Sequence, residues 1–252
     1  MSNQTIALIV GGSSGMGLAT AKLLAQDNIK IIITGRSQSK LDAAKVAIAG
    51  NVETIQADLY NQEDVNTLIA FINNQQDPIK YLVTAAGYFK PVSFLEHTPS
   101  DYQQQMDINQ AFFFISQAVA KNMKTNQGGN IVNIGSMWAN QAVKATPSSA
   151  YSMQKAGLHA LTKNLAIELA EYNIRVNAVA PAVVLSTIYK SFINETDIPE
   201  ALSGFNDFHP LGRIGQPQDV ADAIYYLLSD KASWITGTIM NIDGGVMAGR
   251  NQ

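Results

Sequence analysis

Cysteine is absent from the 252 residues, which excludes a disulfide framework, a thiolate metal site and a catalytic thiol. Histidine is almost as scarce. His97, His159 and His209 lie far apart in the chain and form no ligand cluster, so no metal site is expected. Charged residues make up only 15% of the chain, and the formal net charge of -3 supplies no basic footprint for nucleic acid or an anionic membrane surface. No apolar run reaches the roughly 18 residues of a membrane span, and Met1-Ser2-Asn3-Gln4 lacks the basic start and apolar stretch of a secretory leader. A soluble, cytoplasmic protein is the expectation, with neither nucleic acid nor membrane among its partners.

What is present is a rhythm. Residues 5–10 form a short continuous apolar run that ends in glycines, the pattern of a parallel strand buried on both faces. A helical pattern follows over 18–26, with Asn28 as its stop. The alternation then continues through strands at 29–34, 52–57, 80–85, 130–134, 175–180 and 238–242, and helices at 37–49, 62–74, 99–123, from before Tyr151 to about 172, and 217–228. Thr98, Pro99 and Asp101 together spell a capped helix start. Seven strands alternating with helices predict an α/β fold, a single domain built on a doubly wound parallel sheet covered on both faces. No shift in composition marks a linker, and 252 residues suit one core. The long irregular stretch at about 182–215 exceeds an ordinary connection and is expected to be a partly helical substrate lid, with a plain surface insertion as the alternative.

Between the first strand and helix stands Gly11-Gly12-Ser13-Ser14-Gly15-Met16-Gly17. Glycines here allow a tight turn and close approach of a pyrophosphate to the positive end of a helix. The spacing departs from Gly-x-Gly-x-x-Gly, so its place between a buried strand and a helix carries the nucleotide reading. At the end of the second strand, where a carboxylate would hold an adenosine ribose hydroxyl, the chain instead reads Thr34-Gly35-Arg36-Ser37. A guanidinium fork and a hydroxyl suit a 2'-phosphate, so NADP(H) is expected in preference to NAD(H); a solvated Arg36 accepting either nucleotide is the other reading.

Tyr151 and Lys155 lie four apart on a predicted helix and so share a face. A phenol titrates near ~10 and needs a fixed cation to act as a base at neutral pH. At roughly 5 Å and an effective dielectric of about 20, an ammonium would stabilise the phenolate by about 3 kcal/mol. Taken alone, such a pair is usually a solvated one.

In register with the other motifs, it is more. Gly11-x-x-x-Gly15-x-Gly17, Asp58, Ala85-Ala86-Gly87, Asn109, Asn133-Ile134-Gly135-Ser136, Tyr151-x-x-x-Lys155, Asn177-Ala178-Val179-Ala180-Pro181, Gly212-Arg213-Ile214-Gly215-Gln216-Pro217 and Asp243-Gly244-Gly245 follow one another in an order that resembles the short-chain dehydrogenase/reductase family over essentially the whole chain. The resemblance implies a Rossmann-type fold and a catalytic set of Asn109, Ser136, Tyr151 and Lys155. Tyr151 would be the general acid/base, Lys155 would lower its pKa and bind the nicotinamide ribose, Ser136 would orient the substrate oxygen, and Asn109 would hold a water that links Lys155 to solvent. It further implies cofactor contacts from Gly11, Ser13, Ser14, Gly15, Met16, Gly17, Arg36, Ser37, Asp58, Leu59, Ala85, Ala86, Gly87, Pro181 and Val184, with Asp58 near the adenine amino group. Either Ser186 or Thr187 would meet the carboxamide.

Some positions differ from the family pattern. Thr84 stands where asparagine is usual, Val10 where threonine is, and Ala182 where glycine is. The loop after Ser136 is longer by two residues, so Trp138 and residues 142–149 are expected to shape the substrate pocket. The expected activity is NADP(H)-dependent hydride transfer between a nicotinamide and a small-molecule carbonyl/secondary alcohol pair. Reduction of a 3-oxoacyl thioester, or a catalytically silent nucleotide-sensing role, are the alternatives. Ala111-Phe112-Phe113-Phe114-Ile115 is apolar nearly all round. Either core packing or a subunit contact explains it, and the family habit points to a homo-oligomer, a tetramer, with the C-terminal residues 246–252 reaching towards a neighbour.

Overall fold

The computed structural model describes residues 4–144 and 146–249. Ala145, in the loop expected to shape the pocket, and the tail residues 250–252 lie outside the described residues. Seven strands, β1 (Ile6–Val10), β2 (Lys30–Gly35), β3 (Val52–Gln56), β4 (Ile79–Thr84), β5 (Gly129–Ile134), β6 (Ile174–Pro181) and β7 (Ile239–Ile242), form one sheet in the order β3-β2-β1-β4-β5-β6-β7. Every pairing is parallel. The helices are α1 (Gly15–Ala25), α2 (Gln38–Ile48), α3 (Gln62–Asn73), α4 (Pro99–Thr125), α5 (Ser149–Glu168), α6 (Ile198–Ser203) and α7 (Pro217–Leu228).

The all-apolar strand sequences follow from two cores. Ile6, Leu8 and Val10 of β1 pack on the side of α3, α4 and α5, whereas Ala7 and Ile9 pack on the side of α1, α2 and α7. Successive side chains of a strand point to opposite faces. A strand covered on both faces therefore cannot alternate with polar residues. At the helix ends the sequence signals are realised. Asn28 adopts a left-handed φ of 58°, and Thr98 and Asp101 form a reciprocal capping box at the start of α4.

The chain runs outward from β1 through β2 to β3 and then returns to β4 on the other flank of β1. This reversal leaves a crevice at the carboxyl ends of β1 and β4. The Gly11 and Gly12 amides both donate to the Thr34 carbonyl at 3.1 Å, and the Ala85 and Ala86 amides both donate to the Val10 carbonyl at 2.8 Å. A side chain at Gly11, where φ is +91°, would overlap the Ala86 backbone, and one at Gly17 would overlap the Gly11 carbonyl. The close approach of α1 to β1 and β4 thus requires glycine at both.

Thr84, which stands where asparagine is usual, still braces the sheet. Its hydroxyl donates to Asn133 Oδ1 at 2.7 Å, and Asn133 Nδ2 donates to Thr162 Oγ1 of α5 at 2.9 Å.

Residues 184–215 leave the sheet as an excursion closed at its base, where the Leu185 amide donates to the Gly215 carbonyl and the Gly215 amide to the Val183 carbonyl, both at 2.9 Å. Within it lie 3-10 turns at Thr187–Ser191 and Glu195–Asp197 and the short α6. Ile198 and Leu202 pack inward with Met137, Trp138 and Val183 in a third, smaller apolar cluster. The Ser191 hydroxyl donates to the Phe89 carbonyl.

α5 seats on the end of β5 through His159. Its ring occupies the space that a side chain at Gly135 would take, and Nε2 accepts the Ser136 amide proton at 3.4 Å. Burial, with the Lys155 and Lys163 charges adding to it, lowers the imidazole pKa to about 4. An exposed imidazole titrates near ~6.5, so between that value and about 4 the unfolded chain binds a proton that the folded one refuses, and stability must fall as pH drops through the interval. His159→Gln keeps an acceptor but cannot be protonated. Denaturant titrations at pH 7 and pH 4.5 should show it losing less stability than the parent chain, by on the order of 2 kcal/mol. Equal acid losses would refute a neutral buried His159.

Candidate active site

A cleft of about 750 Å³ follows the carboxyl ends of the strands from β3 to β6. Its wall begins with Gly11, Ser13, Ser14, Gly15 and Met16 and continues through Arg36 and Ser37 after β2 and Asp58 and Leu59 after β3. Ala85, Ala86 and Gly87 after β4, Ser136 after β5, Tyr151 and Lys155 of α5, and Pro181, Val184, Ser186 and Thr187 after β6 complete it. Of the residues expected from sequence, only Gly17 and Asn109 are not on this wall. Gly17 lies behind it, pressed against Gly11. Asn109 faces α5, where its Nδ2 donates to the Gln154 carbonyl at 2.8 Å and its Oδ1 accepts from Gln154 Nε2 at 2.6 Å.

The donor set of the cleft matches a polyanion. No side chain caps α1, so the partial positive charge of its first-turn amides is not met by a serine or aspartate. Arg36, Lys40, Lys155 and Lys190 line the cleft, against Asp58 as its carboxylate among the described residues. Asp58 is itself engaged, accepting the Tyr60 amide proton at 3.1 Å. Ser37 is also partly spent: its Oγ accepts the Lys40 amide at 3.4 Å as the cap of α2. The Arg36 guanidinium carbon sits 5.9 Å from the centre of the Tyr60 ring. Ser186 and Thr187, left as alternatives from the sequence, both reach the cleft, and Thr187 also shares a 3.1 Å hydrogen bond with Ser14.

At the inner end, Tyr151 and Lys155 stand one helical turn apart. The Lys155 ammonium donates to the Ile134 carbonyl at 2.8 Å and lies 5.7 Å from the centre of the Tyr151 ring. Lys155 is 4% exposed, and burial lowers its pKa to about 8. Tyr151 and Ser136 share the cleft wall, and the Ser136 hydroxyl favours the ionised phenol. Burial nevertheless raises its pKa to about 12, the hydroxyl opposing the rise. The expectation of a phenol lowered by Lys155 is therefore not met. Apolar walls remove water from the phenol, with the Phe89 ring edge-on to it at 4.9 Å, and the Lys155 ammonium is committed to a carbonyl rather than to the phenolic oxygen.

A second cavity, about 170 Å³, opens beyond Tyr151. Its wall includes Phe89, Trp138, Val183, Phe192, Leu202 and Phe205, and it shares Ser136, Tyr151, Ala182, Ile188 and Tyr189 with the cleft. Trp138, expected with residues 142–149 to shape a substrate pocket, lines this cavity, and of 142–149 Thr146 does so too. Sequence reasoning missed Lys40, Tyr60, Phe89, Ile188 and Tyr189. Lys40 could have been found, since it stands three residues past the cap Ser37 and beside Arg36. Ile188 and Tyr189 carry no such signal, because only the folding back of residues 184–215 brings them to the cleft.

Comparison with known proteins agrees with this layout. A family model described as enoyl-(acyl carrier protein) reductase matches residues 10–247. The chain is 32% identical over 252 residues to a 3alpha-hydroxysteroid dehydrogenase of Mediterraneibacter gnavus, covering 97% of each chain. It is 34% identical over 249 residues to a 3-oxoacyl-acyl-carrier-protein reductase of Rickettsia bellii, covering 98% of each. A solved structure described as a short chain dehydrogenase/reductase family protein superposes with a TM-score of 0.86 at 31% identity, covering 99% of this chain and 100% of the other. Fold, motifs and relatives agree: the chain belongs to the short-chain dehydrogenase/reductase family and is an oxidoreductase acting on the CH-OH/C=O pair.

Proposed function

We propose that the protein is an NADP(H)-dependent reductase of a small-molecule ketone, with Tyr151 exchanging the proton. The observation that carries this reading is the meeting of two cavities, a cation-lined cleft and an apolar pocket, at Ser136 and Tyr151. A bound nicotinamide would supply or accept the hydride at the substrate carbon. The proton is handled by the chain. Tyr151, with its pKa raised to about 12, stays protonated at neutral pH and can give its proton to a carbonyl oxygen as charge gathers there. Ser136 donates a hydrogen bond to the same oxygen. Lys155, its pKa lowered by burial to about 8, stays mainly protonated at pH 7 and holds α5 against the end of β5 through the Ile134 carbonyl. Asn109 fixes α5 at Gln154, the residue before Lys155, and so serves as a positioning residue.

Preference for NADP(H) rests on Arg36 and Lys40 at the end of β2, where no carboxylate lines the cleft to hold a ribose hydroxyl. Reduction of a 3-oxoacyl thioester is the second reading, supported by the 34% identical reductase. An NADPH oxidation assay with simple ketones alongside a short 3-oxoacyl thioester separates the two.

Homo-oligomerisation, with a tetramer as the form proposed, is supported by exposed apolar side chains on α4 and α5. Phe113 is 46% exposed, Phe114 42% and Met153 56%.

Tyr151→Phe removes one oxygen and should lower turnover by about a thousandfold while NADPH affinity stays within about threefold, read by nucleotide fluorescence titration. Retained turnover would defeat the assignment. Arg36→Ala should weaken NADPH binding by roughly ten- to a hundredfold, the loss of charge-assisted bonds to a phosphate, and leave NADH binding nearly unchanged. A parent chain that binds NADH as tightly as NADPH would overturn the preference. Replacing Phe113 and Phe114 together by glutamate should shift the light-scattering mass to a smaller species, and a parent chain that is already monomeric would contradict the oligomer.

A further inference from the structure

Ser136, on the wall common to the cleft and the apolar cavity, is buried and held at two points. Its hydroxyl oxygen accepts the Trp138 amide proton at 3.3 Å, which occupies a lone pair and leaves the hydroxyl proton to be donated elsewhere. Its own amide donates to His159 Nε2 at 3.4 Å. The neighbouring Gly135 amide donates to the Val179 carbonyl of β6 at 2.8 Å, and the imidazole fills the space that a side chain at Gly135 would need. Residues 135 and 136 are thus clamped between β6 and a buried ring of α5. His159 itself lines neither the cleft nor the apolar cavity.

Resting on the reading of the site as a ketone reductase in which Ser136 donates to the substrate oxygen, we propose that His159 is a positioning residue: its neutral ring holds the turn 135–136 so that the Ser136 hydroxyl meets the oxygen to which Tyr151 gives its proton. The partner of Nε2 is a donor, so Nε2 has to be the unprotonated nitrogen. A second proton on the ring would set one N–H against another and break the contact. The charges that act on the ring are those of Lys155 and Lys163 on its own helix, and both oppose its protonation. The elements packed on α5 add none. The 135–136 backbone and the turn Met137–Ala139 carry no titratable side chain, Arg175 of β6 is bound to the Leu227, Ser229 and Ile235 carbonyls, and Asp107 of α4 is bound to Gln103. Because His159 stays out of both cavities, it acts on the reaction through Ser136.

A double-variant cycle separates positioning from packing. In NADPH-driven reduction of a simple ketone, His159→Leu removes the acceptor and should lower kcat by about ten- to a hundredfold, with the KM for NADPH little changed. His159→Gln offers Oε1 in place of Nε2 and should keep kcat within about threefold of the parent. Ser136→Ala should lose about a hundredfold. The chain carrying both Ser136→Ala and His159→Leu should be no slower than Ser136→Ala alone, since no hydroxyl remains to be positioned, whereas a general loosening of the fold would multiply the two losses. A pH comparison serves if His159→Leu does not fold. The imidazole is half protonated near its pKa of about 4, so the ratio of parent kcat to His159→Gln kcat should fall by about half between pH 6 and pH 4.

Full activity in His159→Leu, losses that multiply in the double variant, or a rate ratio that ignores pH would each overturn the proposal. Protein labelled with 15N-serine gives a readout independent of turnover. The Ser136 amide resonance, assigned as the one missing from Ser136→Ala, should move between pH 6 and pH 4 in the parent and stay in place in His159→Gln. A resonance that stays in place in the parent would also overturn the proposal. One that moves as expected while no ketone is reduced would uphold the hold of His159 on Ser136 and defeat the reductase reading instead.

Discussion

The site depends on one hydrogen bond, from the buried Lys155 ammonium to the Ile134 carbonyl at 2.8 Å. Taking an ammonium out of water costs several kcal/mol and is tolerated only where a fixed acceptor replaces its hydration. The last carbonyl of β5 is such an acceptor. Because Lys155 cannot leave it cheaply, α5 is held in both rotation and translation against the end of β5. The residues along the same face of α5 follow. Tyr151 arrives at the Ser136 hydroxyl, His159 at the Ser136 amide, and Thr162 at Asn133. Positions 151, 155, 159 and 162 form a single stripe of the helix, and each member touches one of residues 133–136. A proton-transfer site needs the phenol and the serine hydroxyl within bonding reach of one substrate oxygen, and this stripe sets that distance.

The same arrangement settles which groups carry charge. Lys155 and His159 are neighbours on the stripe, and two cations there would repel each other across a poorly solvated contact. Burial lowers Lys155, which faces a carbonyl, only to about 8, while His159 is lowered to about 4. The imidazole is then free to accept the Ser136 amide rather than compete with it. A neutral His159 is therefore part of what allows a charged Lys155.

The sheet was legible because each central strand is buried on both sides, which left apolar runs such as residues 5–10 with no other reading. The glycine turn was legible because a side chain at Gly11 or Gly17 would collide with backbone, so composition there reports geometry directly. Helix ends were legible wherever the chemistry is local, as at Thr98 with Asp101 and at Asn28. What escaped notice depends on contacts between segments distant in sequence. His159 looks like any helix histidine until Gly135, some two dozen positions earlier, is known to lie under it. Thr84 stood out only as a departure from the family pattern until its bond to Asn133 was known. Ile188, Tyr189 and Phe192 sit in an excursion whose inward face has no periodicity, since 3-10 turns and a six-residue helix give neither a 2.0 nor a 3.6 repeat.

The miss at Tyr151 has a different origin. Spacing on a helix gives the distance between a phenol and an ammonium, and the Coulomb term follows from that distance, but desolvation depends on what lies over both groups. Here Phe89 and residues of the excursion 184–215 wall the cavity beside Tyr151, and burial outweighs the Ser136 hydroxyl in setting the phenol's pKa. The residues that wall the apolar pocket are thus the ones that keep Tyr151 protonated. In the proposed reductase the fit to the substrate and the readiness of the acid cannot be adjusted independently, because opening the pocket to a larger or more polar ligand also lets water back to the phenol and eases its ionisation. A small, largely apolar pocket is what one would expect to find beside a tyrosine that must hold its proton until a carbonyl oxygen arrives to take it.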